Sequence, residues 1–381
     1  MCDVLLDEFV VFSDHHAHTF PFGAKEELHE SRFFVNSRLR AAFSVIEEIT
    51  TYVAKHHINK VFFCGDMFHV RESVPTIATN LMYTAIQRLN EVAYVHMLPG
   101  NHDYADREGE VHSLHTFRDV AVVHDWHWLG NAVHGRGGLV DHPPCNTKRG
   151  DQVRYSFLPY TEDRVKAAKA IADAAELTEP YIPHILLGHL GIQGATVGSD
   201  YVLVSDNDIS VADIPWDSFA GCFFGHYHQH QQLFKNGWYV GASHQHNWGD
   251  ANTKRGFLHV KVYMDHVTFD FIETAAPKFI TSKEPIKARP QDFVRIMSKT
   301  KSSVQEIEEL QRECGSQNCE IIYVPPEVEQ SALELSEENL SPSAMVASWV
   351  AANSSWLAEN LPDLDHEQLI AYGRTLLVDV T

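Results

Sequence analysis

The sequence lacks any long apolar run, since no stretch approaches the roughly eighteen consecutive apolar residues of a membrane-spanning helix. Its start, with Cys2, Asp3 and Asp7, also lacks the basic patch and apolar core of a secretory signal. The six cysteines are scattered without zinc-finger spacing, which argues against a zinc module and favours reduced thiols. These absences predict a soluble, cytoplasmic protein that does not bind a membrane.

Basic residues are also scarce, because 30 lysines and arginines stand against 51 acidic residues, for a net charge of −21. Such a surface does not attract nucleic acid by itself, since phosphate binding depends on clustered Lys and Arg. Any contact with phosphate must therefore be local, and bound divalent cations would supply the positive charge. The chain does have length: 381 residues with 44% hydrophobic content allow one main domain with appendages.

Short apolar, β-branched segments alternate with helical patterns from residue 9 to about 275, which is typical of a layered α/β domain. The strands predicted in this part are 9–12, 60–64, 93–98, 184–187, 222–224, 238–240, 257–263 and 267–272. The predicted helices are 38–57 and 75–90. The first three strands and two helices follow one another as β-α-β units.

The composition changes near Thr274, and the segment 278–301 holds seven basic residues against two acidic ones. Strands at 293–297 and 320–324 and a helix opened by the Ser303–Glu306 capping box predict a small α+β appendage. The acidic, partly apolar tail predicts helices that begin at Ser341 and Asp365. We therefore divide the chain into a catalytic domain (1–275), a small α+β cap (276–330) and an acidic helical segment (331–381).

Five of the predicted strands are followed by residues that bind hard or borderline metal ions. They are Asp14 and His16, Asp66, Asn101 with His102 and Asp103, His189, and His226 with His228. Loops converge on a ligand at the carboxyl ends of strands in an α/β sheet, so residues distant in sequence meet there. Singly, these motifs also fit a loop carboxylate, a turn or strand-face histidines. Their recurrence in this order predicts one shared site.

The donors of this set are carboxylates, imidazoles and one amide, which suit Mn, Fe or Zn better than a soft metal. Strand alternation places His16 on the side of Asp14 and favours it over His15. Asp66 is expected to bridge two ions, because it is the acidic residue of a strand end between those of Asp14 and Asn101. Two ions roughly 3.5–4 Å apart clamp a phosphoryl group and generate a hydroxide that attacks it.

These motifs resemble those of the calcineurin-like metallophosphoesterases: Asp14-x-His16, Gly65-Asp66, Gly100-Asn101-His102-Asp103, Gly188-His189 and Gly225-His226-x-His228. The resemblance implies a four-layer α-β-β-α sandwich of two mixed sheets, with a small α+β cap and C-terminal helices. It also implies two divalent metal ions, Mn²⁺ above all, with Mg²⁺, Fe and Zn as the alternatives. One ion would be held by Asp14, His16, Asp66 and His228, and the other by Asp66, Asn101, His189 and His226.

The resemblance further implies that His102 protonates the leaving oxygen and that Asp103 orients it. The residue chemistry agrees, because a histidine with a pKa of about 6.5 beside a carboxylate holds a proton at neutral pH. Asp103 fits a structural role equally well, as a cap of the following turn.

Weaker features resemble the SbcD-like DNA nucleases of this superfamily, over about residues 9–325 and most strongly before residue 110. The second motif continues to His69, which would position the DNA strand; the alternative is a solvated surface residue. The segments 241–257 and 276–280 are similar to the closing hairpin and the cap link of these nucleases. This resemblance implies a Mn²⁺-dependent nuclease of DNA repair, recombination or replication, with 3′–5′ exonuclease and single-strand endonuclease activity.

The same resemblance implies three partners: DNA, an SbcC-like ATPase subunit and a second copy of the chain. The candidate contacts for the DNA backbone are basic residues of the cap, and a solvated face is the alternative. Foremost among them are Lys278, Lys283, Lys287 and Arg289. Apolar tail residues such as Trp349, Val350 and Leu357 fit docking on the ATPase and packing on their own domain equally.

Two other functions remain open at this point. A phosphatase or a small-molecule or cyclic-nucleotide phosphodiesterase on the same fold would use the same metal chemistry. A catalytically inactive scaffold would keep the fold alone, although every expected ligand is present. The small size and short cap are similar to phage-encoded members, which would place the protein in the host cytoplasm.

Overall fold

The computed structural model describes residues 4–28, 34–106, 110–126, 153–197, 201–202, 208–298, 303–324, 349–351, 353–360, 365 and 368–369. The strands are β1 (Asp7–Phe12), β2 (Glu26–Leu28), β3 (Phe34–Asn36), β4 (Lys60–Cys64), β5 (Tyr94–Leu98), β6 (Val122–Val123), β7 (Arg154–Leu158), β8 (His184–His189), β9 (Thr196–Val197), β10 (Tyr201–Val202), β11 (Gly221–Gly225), β12 (Gln231–Phe234), β13 (Gly237–Tyr239), β14 (Gly256–Val262), β15 (Val267–Glu273), β16 (Phe279–Ser282), β17 (Phe293–Ser298) and β18 (Asn318–Tyr323). The α-helices are α1 (Ser37–His56), α2 (Thr76–Asn90), α3 (Arg164–Glu176), α4 (Val304–Cys314) and α5 (Ser354–Asn360).

Two mixed sheets form the main body of the fold. The first has the strand order β15-β14-β1-β4-β5-β6. Within it β1, β4, β5 and β6 are parallel, and β14 and β15 form the antiparallel edge that the predicted hairpin supplies. The second has the order β12-β13-β11-β8-β7, with β7, β8, β11 and β13 parallel. In both sheets the parallel strands end on one edge, where the predicted site residues follow.

The two sheets pack face to face between outer helices. Alternate residues of β1 and β4 point into the space between the sheets, where Phe9 meets Phe223 at 5.9 Å and Phe62 meets Tyr155 at 4.9 Å between ring centroids. Helices α1 and α2 cover the outer face of the first sheet, and α3 covers the second. The predicted mixed α/β, four-layer fold is therefore confirmed.

Helix α1 shows how the local sequence sets these layers. Asn36 caps its start by accepting hydrogen bonds from the backbone N of Arg38 and Leu39, and His57 ends it in a left-handed conformation with φ of 56°. The apolar residues predicted at helical spacing are the face that it buries against the first sheet. Helix α2 begins at Thr76, so Pro75 is its N-cap and not, as predicted, a residue of the first turn.

A small sheet of β16, β17 and β18 with α4 forms the part of the chain predicted to be a cap. Ser303 and Glu306 make the predicted capping box at the start of α4. Phe279 and Phe293 stack at 4.5 Å, and the guanidinium of Arg38 from α1 lies 5.1 and 4.9 Å from these two rings. This stacking attaches the small sheet to the first helix of the main body.

The chain separates into two compact units, of which the first contains Met1–Met297 and Ser302–Ile322, and the second Ser298–Lys301 and Tyr323–Thr381. In the second unit Val350 and Leu357 are buried, and Trp349 is 43% exposed. The beginning of the helix predicted from Ser341 lies outside the described residues, and residues 349–351 are helical. None of the described helices is long and apolar enough to cross a membrane. The division into three domains stays a prediction.

Acid sensitivity is expected from a buried histidine at the start of β8. His184 is 1% exposed, and its ring nitrogens pair with the hydroxyls of Ser156 (2.8 Å) and Thr178 (3.1 Å). Burial, with the nearby charge of Arg154, lowers the pKa of His184 to about 4. The unfolded chain binds this proton below about pH 6.5 and the folded chain does not, so stability falls as pH drops from 6.5 to 4.

We expect His184→Gln to reduce the loss of unfolding free energy between pH 7 and pH 5 by about 2 kcal/mol relative to the wild type. Urea denaturation at both pH values measures this difference. An unchanged pH dependence in the variant would mean that His184 titrates normally in the folded protein.

Candidate metal centre

The structure brings all seven predicted metal ligands to one edge of the sandwich. Asp14 and His16 follow β1, Asp66 follows β4 and Asn101 follows β5, all in the first sheet. His189 ends β8, and His226 and His228 follow β11, in the second sheet. Because β1, β4 and β5 are parallel neighbours, as are β8 and β11, the five loops meet where the two sheets face each other.

Asp66 lies between two groups of ligands. Its Oδ2 is 3.5 Å from Nε2 of His16, and its Oδ1 is 3.6 Å from Nε2 of His189. On the first side, Nε2 of His16 is 3.1 Å from Nε2 of His228. On the other side, Oδ1 of Asn101 lies 3.0 Å from both Nε2 of His189 and Nδ1 of His226. This is the placement that a carboxylate shared by two ions needs.

The contacts around Asn101 favour a bound cation. Nδ1 of His189 lies 2.7 Å from the carbonyl oxygen of Cys64, which only accepts, so Nδ1 carries the ring proton. Burial keeps the pKa of His189 well below its usual range, so Nε2 is an unprotonated acceptor. It nevertheless faces Oδ1 of Asn101, a second acceptor. A divalent ion between the two atoms removes this repulsion, and the carbonyl bond on Nδ1 is typical of metal-binding histidine.

The electrostatics of the buried carboxylates point the same way. Asp14 is fully buried, and burial raises its pKa to about 7 despite hydrogen bonds from Ser13 and the backbone of His226. Burial and the charge of Asp14 raise the pKa of Asp66 well above its usual range. Burial also lowers the pKa of His16 well below its usual range. Carboxyl groups whose charged form is disfavoured by burial, together with neutral imidazoles, form a donor set that fits two divalent ions.

The backbone at the site is held in sparsely populated conformations. Four candidate ligands have positive φ: Asp14 (48°), His16 (47°), Asp66 (64°) and His226 (108°). Such angles cost free energy for residues with a side chain and persist where the surrounding structure imposes them, often at functional sites. Hydrogen bonds from the backbone N of both Asp14 and His16, to the carbonyls of Gly65 and Asp66, hold the first loop on the second.

Two glycines of the motifs allow this close approach. Gly65 has a φ of 90°, and a Cβ there would lie 2.3 Å from Nδ1 of His189. A Cβ on Gly100 would lie 2.2 Å from Oδ1 of Asp66. Both glycines are therefore needed because the loops after β4, β5 and β8 touch at the ligands.

His102 and His69 lie next to the first group of ligands. The ring of His102 is 4.7 Å from that of His16 and 5.7 Å from that of His69, which is nearly parallel to it. Nδ1 of His102 donates to the carbonyl oxygen of His69 at 2.7 Å, and the backbone N of His102 donates to Oδ1 of Asp66 at 2.8 Å. The ring is thus fixed by the loop that carries Asp66.

Burial lowers the pKa of His102, so the ring is neutral near pH 7 in the free protein, contrary to the expectation that a carboxylate keeps it protonated. An anionic phosphate bound beside the ring would favour the protonated form. His102 would therefore take up the proton that it is expected to donate when the substrate binds.

The resemblance implied that Asp103 orients the ring of His102, but its carboxylate makes other contacts. Its carboxylate accepts hydrogen bonds from the backbone N of Asp66 (2.8 Å), Met67 (3.0 Å) and Gly100 (2.9 Å), and from the hydroxyl of Ser113 (3.1 Å). Among the described residues its carboxylate does not hydrogen bond with the ring of His102. The turn-capping alternative describes it better, although Asp103 joins two loops and does not cap one turn.

Replacing Asp103 with Ala is expected to lower the free energy of unfolding by about 3 kcal/mol or more, because three buried backbone donors lose their acceptor. Asp103→Asn keeps one acceptor oxygen, so its free energy of unfolding should lie between those of the wild type and Asp103→Ala. Urea denaturation measures both variants. If Asp103→Ala unfolds like the wild type and loses only catalytic activity, Asp103 acts through His102 after all.

The structure also shows site residues that the sequence interpretation missed. His246 is buried against His16 and His228, and its Nε2 lies 2.9 Å from the carbonyl oxygen of Asp14. Asp250 accepts from the backbone N of His246 at 2.8 Å and forms an ion pair with Arg255 at 2.7 Å. The alternating His244-Gln245-His246 after a Gly-Ala-Ser turn was the available signal. It has no fixed spacing from the other motifs, so it did not identify a site by itself.

The basic residues predicted to contact DNA differ in availability. The guanidinium of Arg289 binds Asp292 and the carbonyl oxygens of Ala275 (2.9 Å) and Ala276 (2.7 Å), and Lys278 pairs with Glu273. These two residues thus hold the small sheet on its link to the main body. Lys283 and Lys287 are exposed and stay predicted DNA contacts.

Comparison with known proteins agrees with the fold. The sequence profile of the calcineurin-like phosphoesterases matches residues 8–230, more than half of the chain. No curated protein sequence matches the chain. A dimetal phosphatase from Danio rerio is similar in structure over 71% of this chain and 97% of its own, with 11% identity and a TM-score of 0.39. GAP50, the anchor in the inner membrane complex of Plasmodium, is similar over 71% and 85%, with 10% identity and a TM-score of 0.36. These two likenesses carry no argument about function.

Proposed function

The chain belongs to the calcineurin-like phosphoesterase family, and from this premise we propose that it is a Mn²⁺-dependent DNA nuclease of the SbcD-like kind. Family membership and the clusters of His and Asp indicate a metal-dependent hydrolase of phosphate esters. The finer proposal concerns the substrate, which we take to be a phosphodiester of DNA. The convergence of seven ligands from five strand ends supports the metal-dependent hydrolysis. The observation that carries the choice of DNA is the group of rings next to His102, formed by His69, His18 and Phe20.

The residues divide the work of hydrolysis between them. Asp14, His16, Asp66 and His228 would hold one divalent ion, and Asp66, Asn101, His189 and His226 the other. Bound there, the ions supply positive charge for the phosphate oxygens and an activated water. His102 has Nδ1 committed to the carbonyl oxygen of His69, so Nε2 is the atom that donates a proton to the leaving oxygen.

A wall of rings beside His102 supports a nucleic-acid substrate. The ring of His69 lies 4.9 Å from that of Phe20 and 5.6 Å from that of His18, and all three side chains are half-buried. Nucleobases stack on such surfaces, with about 1–3 kcal/mol per base. A phosphomonoester with a small leaving group would leave this wall without a partner. In this proposal the loop that carries Phe20 contributes to substrate binding.

A phosphatase is the second candidate, and the charge distribution favours it. The chain carries a net charge of −21, and Arg289 and Lys278 of the small sheet are engaged within the protein. A small phosphate ester needs no extended basic surface, whereas DNA gains most of its affinity from one. The two functions therefore differ in what the protein binds around a common metal centre.

Hydrolysis assays on four substrates separate these functions: linear duplex DNA, single-stranded DNA, bis-p-nitrophenyl phosphate and p-nitrophenyl phosphate. With Mn²⁺, a nuclease cuts DNA and the diester at a higher kcat/KM than the monoester. Hydrolysis of the monoester alone would overturn the proposal in favour of a phosphatase. An Asp66→Asn preparation, purified in parallel, controls for contaminating nucleases.

The partners belong to the same proposal and rest on the resemblance to SbcD-like nucleases. They are an SbcC-like ATPase subunit and a second copy of the chain, in the cytoplasm. The exposed Trp349 supports a docking role for the C-terminal segment, and the buried Val350 and Leu357 support packing within the chain. Sedimentation of the purified protein, with and without Trp349→Ala, tests self-association.

A further inference from the structure

A cleft of about 300 Å³ lies beside Asn101, a candidate metal ligand that forms part of its lining. The other lining residues that matter here are Arg71, Tyr104, Trp126, Tyr160 and Lys166. The volume is at the lower end of that of small-molecule sites, which suits one nucleotide and not a length of strand. None of these five residues belongs to the metal-binding motifs.

The hydroxyl of Tyr104, a residue that lines the cleft, has no hydrogen-bond partner among the described residues. Tyr104 is 5% exposed, and its hydroxyl makes no hydrogen bond with any residue that the structure describes. Leaving such a group unpaired is costly, so native proteins satisfy it with a ligand or an ordered water. Tyr104 is one of the residues that line the cleft, and the lining continues to Asn101. A bound substrate group is therefore a suitable partner for this hydroxyl.

Two further groups face the same space. Arg71 is exposed and forms no ion pair within the described ranges. It lies close enough to the metal centre that its charge opposes the rise in the pKa of Asp66 that burial causes. The ring of Tyr160 lies 5.9 Å from that of His226, and its backbone N is anchored to the carbonyl oxygen of Pro99 at 3.0 Å. The cleft thus offers the guanidinium of Arg71 and the ring of Tyr160 next to the ligands.

The remaining charges of the cleft limit what it accepts. Lys166 lies over the ring of Trp126 at 3.9 Å. Asp106 accepts from the backbone N of Glu110 (3.0 Å) and Val111 (2.9 Å), so its charge is used within its own loop. The acidic Glu72 and Glu162 are exposed and offset the two cations. With two basic and two exposed acidic side chains, the cleft fits a ligand with a single phosphate and a planar ring better than a polyphosphate.

We propose that this cleft binds the nucleotide next to the scissile phosphate, with Arg71 on a phosphate oxygen, Tyr104 hydrogen-bonded to the nucleoside and Tyr160 against the base. The inference rests on the proposed function, since it assigns a nucleic-acid substrate to the same metal centre. Together with the rings near His69, it gives the metal centre a nucleoside-binding surface on more than one side. Such surfaces distinguish a diester from a small monoester.

Binding of thymidine 5′-monophosphate and of inorganic phosphate, measured by calorimetry with Mn²⁺, tests the cleft, and chromatography of the recovered nucleotide verifies that it stays intact during the measurement. We expect the nucleotide to bind the wild type at least about 10-fold more tightly than phosphate. Tyr104→Phe should weaken nucleotide binding about 5- to 10-fold and leave phosphate binding unchanged. Arg71→Ala should weaken both, and Arg312→Ala, an exposed arginine on α4, should weaken neither.

A folding defect is excluded by thermal unfolding, because Tyr104→Phe removes a buried unpaired hydroxyl and should leave the Tm unchanged or raise it. Equal affinity of the wild type for nucleotide and phosphate overturns the proposal, as does unchanged nucleotide binding in Tyr104→Phe. The two proposals fail separately. If the protein binds the nucleotide selectively but does not cut DNA, the proposed cleft stands and the proposed nuclease activity is wrong. If it cuts DNA but binds nucleotide and phosphate equally, the nuclease activity stands and the proposed cleft is wrong.

Discussion

Replacing Asp66 with Asn is expected to lower kcat/KM by at least about 1,000-fold on every phosphate ester that the protein hydrolyses. The carboxylate of Asp66 lies between both groups of ligands, 3.5 Å from Nε2 of His16 and 3.6 Å from Nε2 of His189. Its loss therefore removes a ligand from both ions at once. Asn keeps the size of the side chain and an oxygen that accepts from the backbone N of His102, so the loop should keep its shape.

Metal content and thermal unfolding distinguish this effect from misfolding. In the wild type, Mn²⁺ should raise the Tm, because a ligand that binds only the folded state stabilises it. In Asp66→Asn the Mn²⁺-dependent shift and the bound metal should both be lost. The metal-free variant should be at least as stable as the metal-free wild type, since burial of a carboxylate raises the pKa of Asp66 and disfavours its charged form.

The matched control is Asp217→Asn, which removes an exposed carboxylate paired with Lys235 and should change neither metal content nor activity. An Asp66→Asn protein that retains two metal ions and normal turnover would show that Asp66 does not bridge them.

The second large effect is expected for His102→Gln, which should lower kcat on DNA by about 100- to 10,000-fold while both metal ions stay bound. His102 is not one of the seven proposed metal ligands, and its Nε2 is the atom available to protonate the leaving alkoxide of DNA. The loss should be much smaller on bis-p-nitrophenyl phosphate, because p-nitrophenolate leaves without protonation. A difference between the two substrates is therefore the signature of a proton donor.

Steady-state kinetics on both substrates, with metal content determined on the same preparations, measure this difference. His266→Gln, at an exposed hairpin turn beside Asp265, is the matched control and should behave as the wild type. Equal losses on both substrates would assign His102 to positioning of the phosphate, and loss of metal would make it part of the metal centre.

The sequence determined the fold class and the chemistry of the site. Apolar segments with strand and helix periodicity are local features, so β1, β4, β5 and α1 lie where the pattern predicted them. Asp14, Asp66 and Asn101 could be placed together because parallel strands end on one edge, which follows from the β-α-β order alone. His189 and His226 were added by the same rule in a second sheet.

Tertiary structure alone decided which partners each side chain has. Asp103 stands beside His102 in sequence, yet its carboxylate binds the backbone of Asp66, Met67 and Gly100, because the loops after β4 and β5 touch there. Arg289 was a predicted DNA contact, but its guanidinium donates hydrogen bonds to Asp292 and to two backbone carbonyl groups. Local pattern does not report such contacts, since they depend on how distant segments pack.

The same reason explains why the cleft beside Asn101 was invisible in the sequence. Arg71, Tyr104, Trp126 and Tyr160 lie in four separate segments of the chain and share no motif or spacing. Metal ligands must lie at short, defined distances from the ion, and here they follow directly after strands, so they can be recognised as motifs in the sequence. A substrate cleft is a space between packed segments, and only the folded chain defines it.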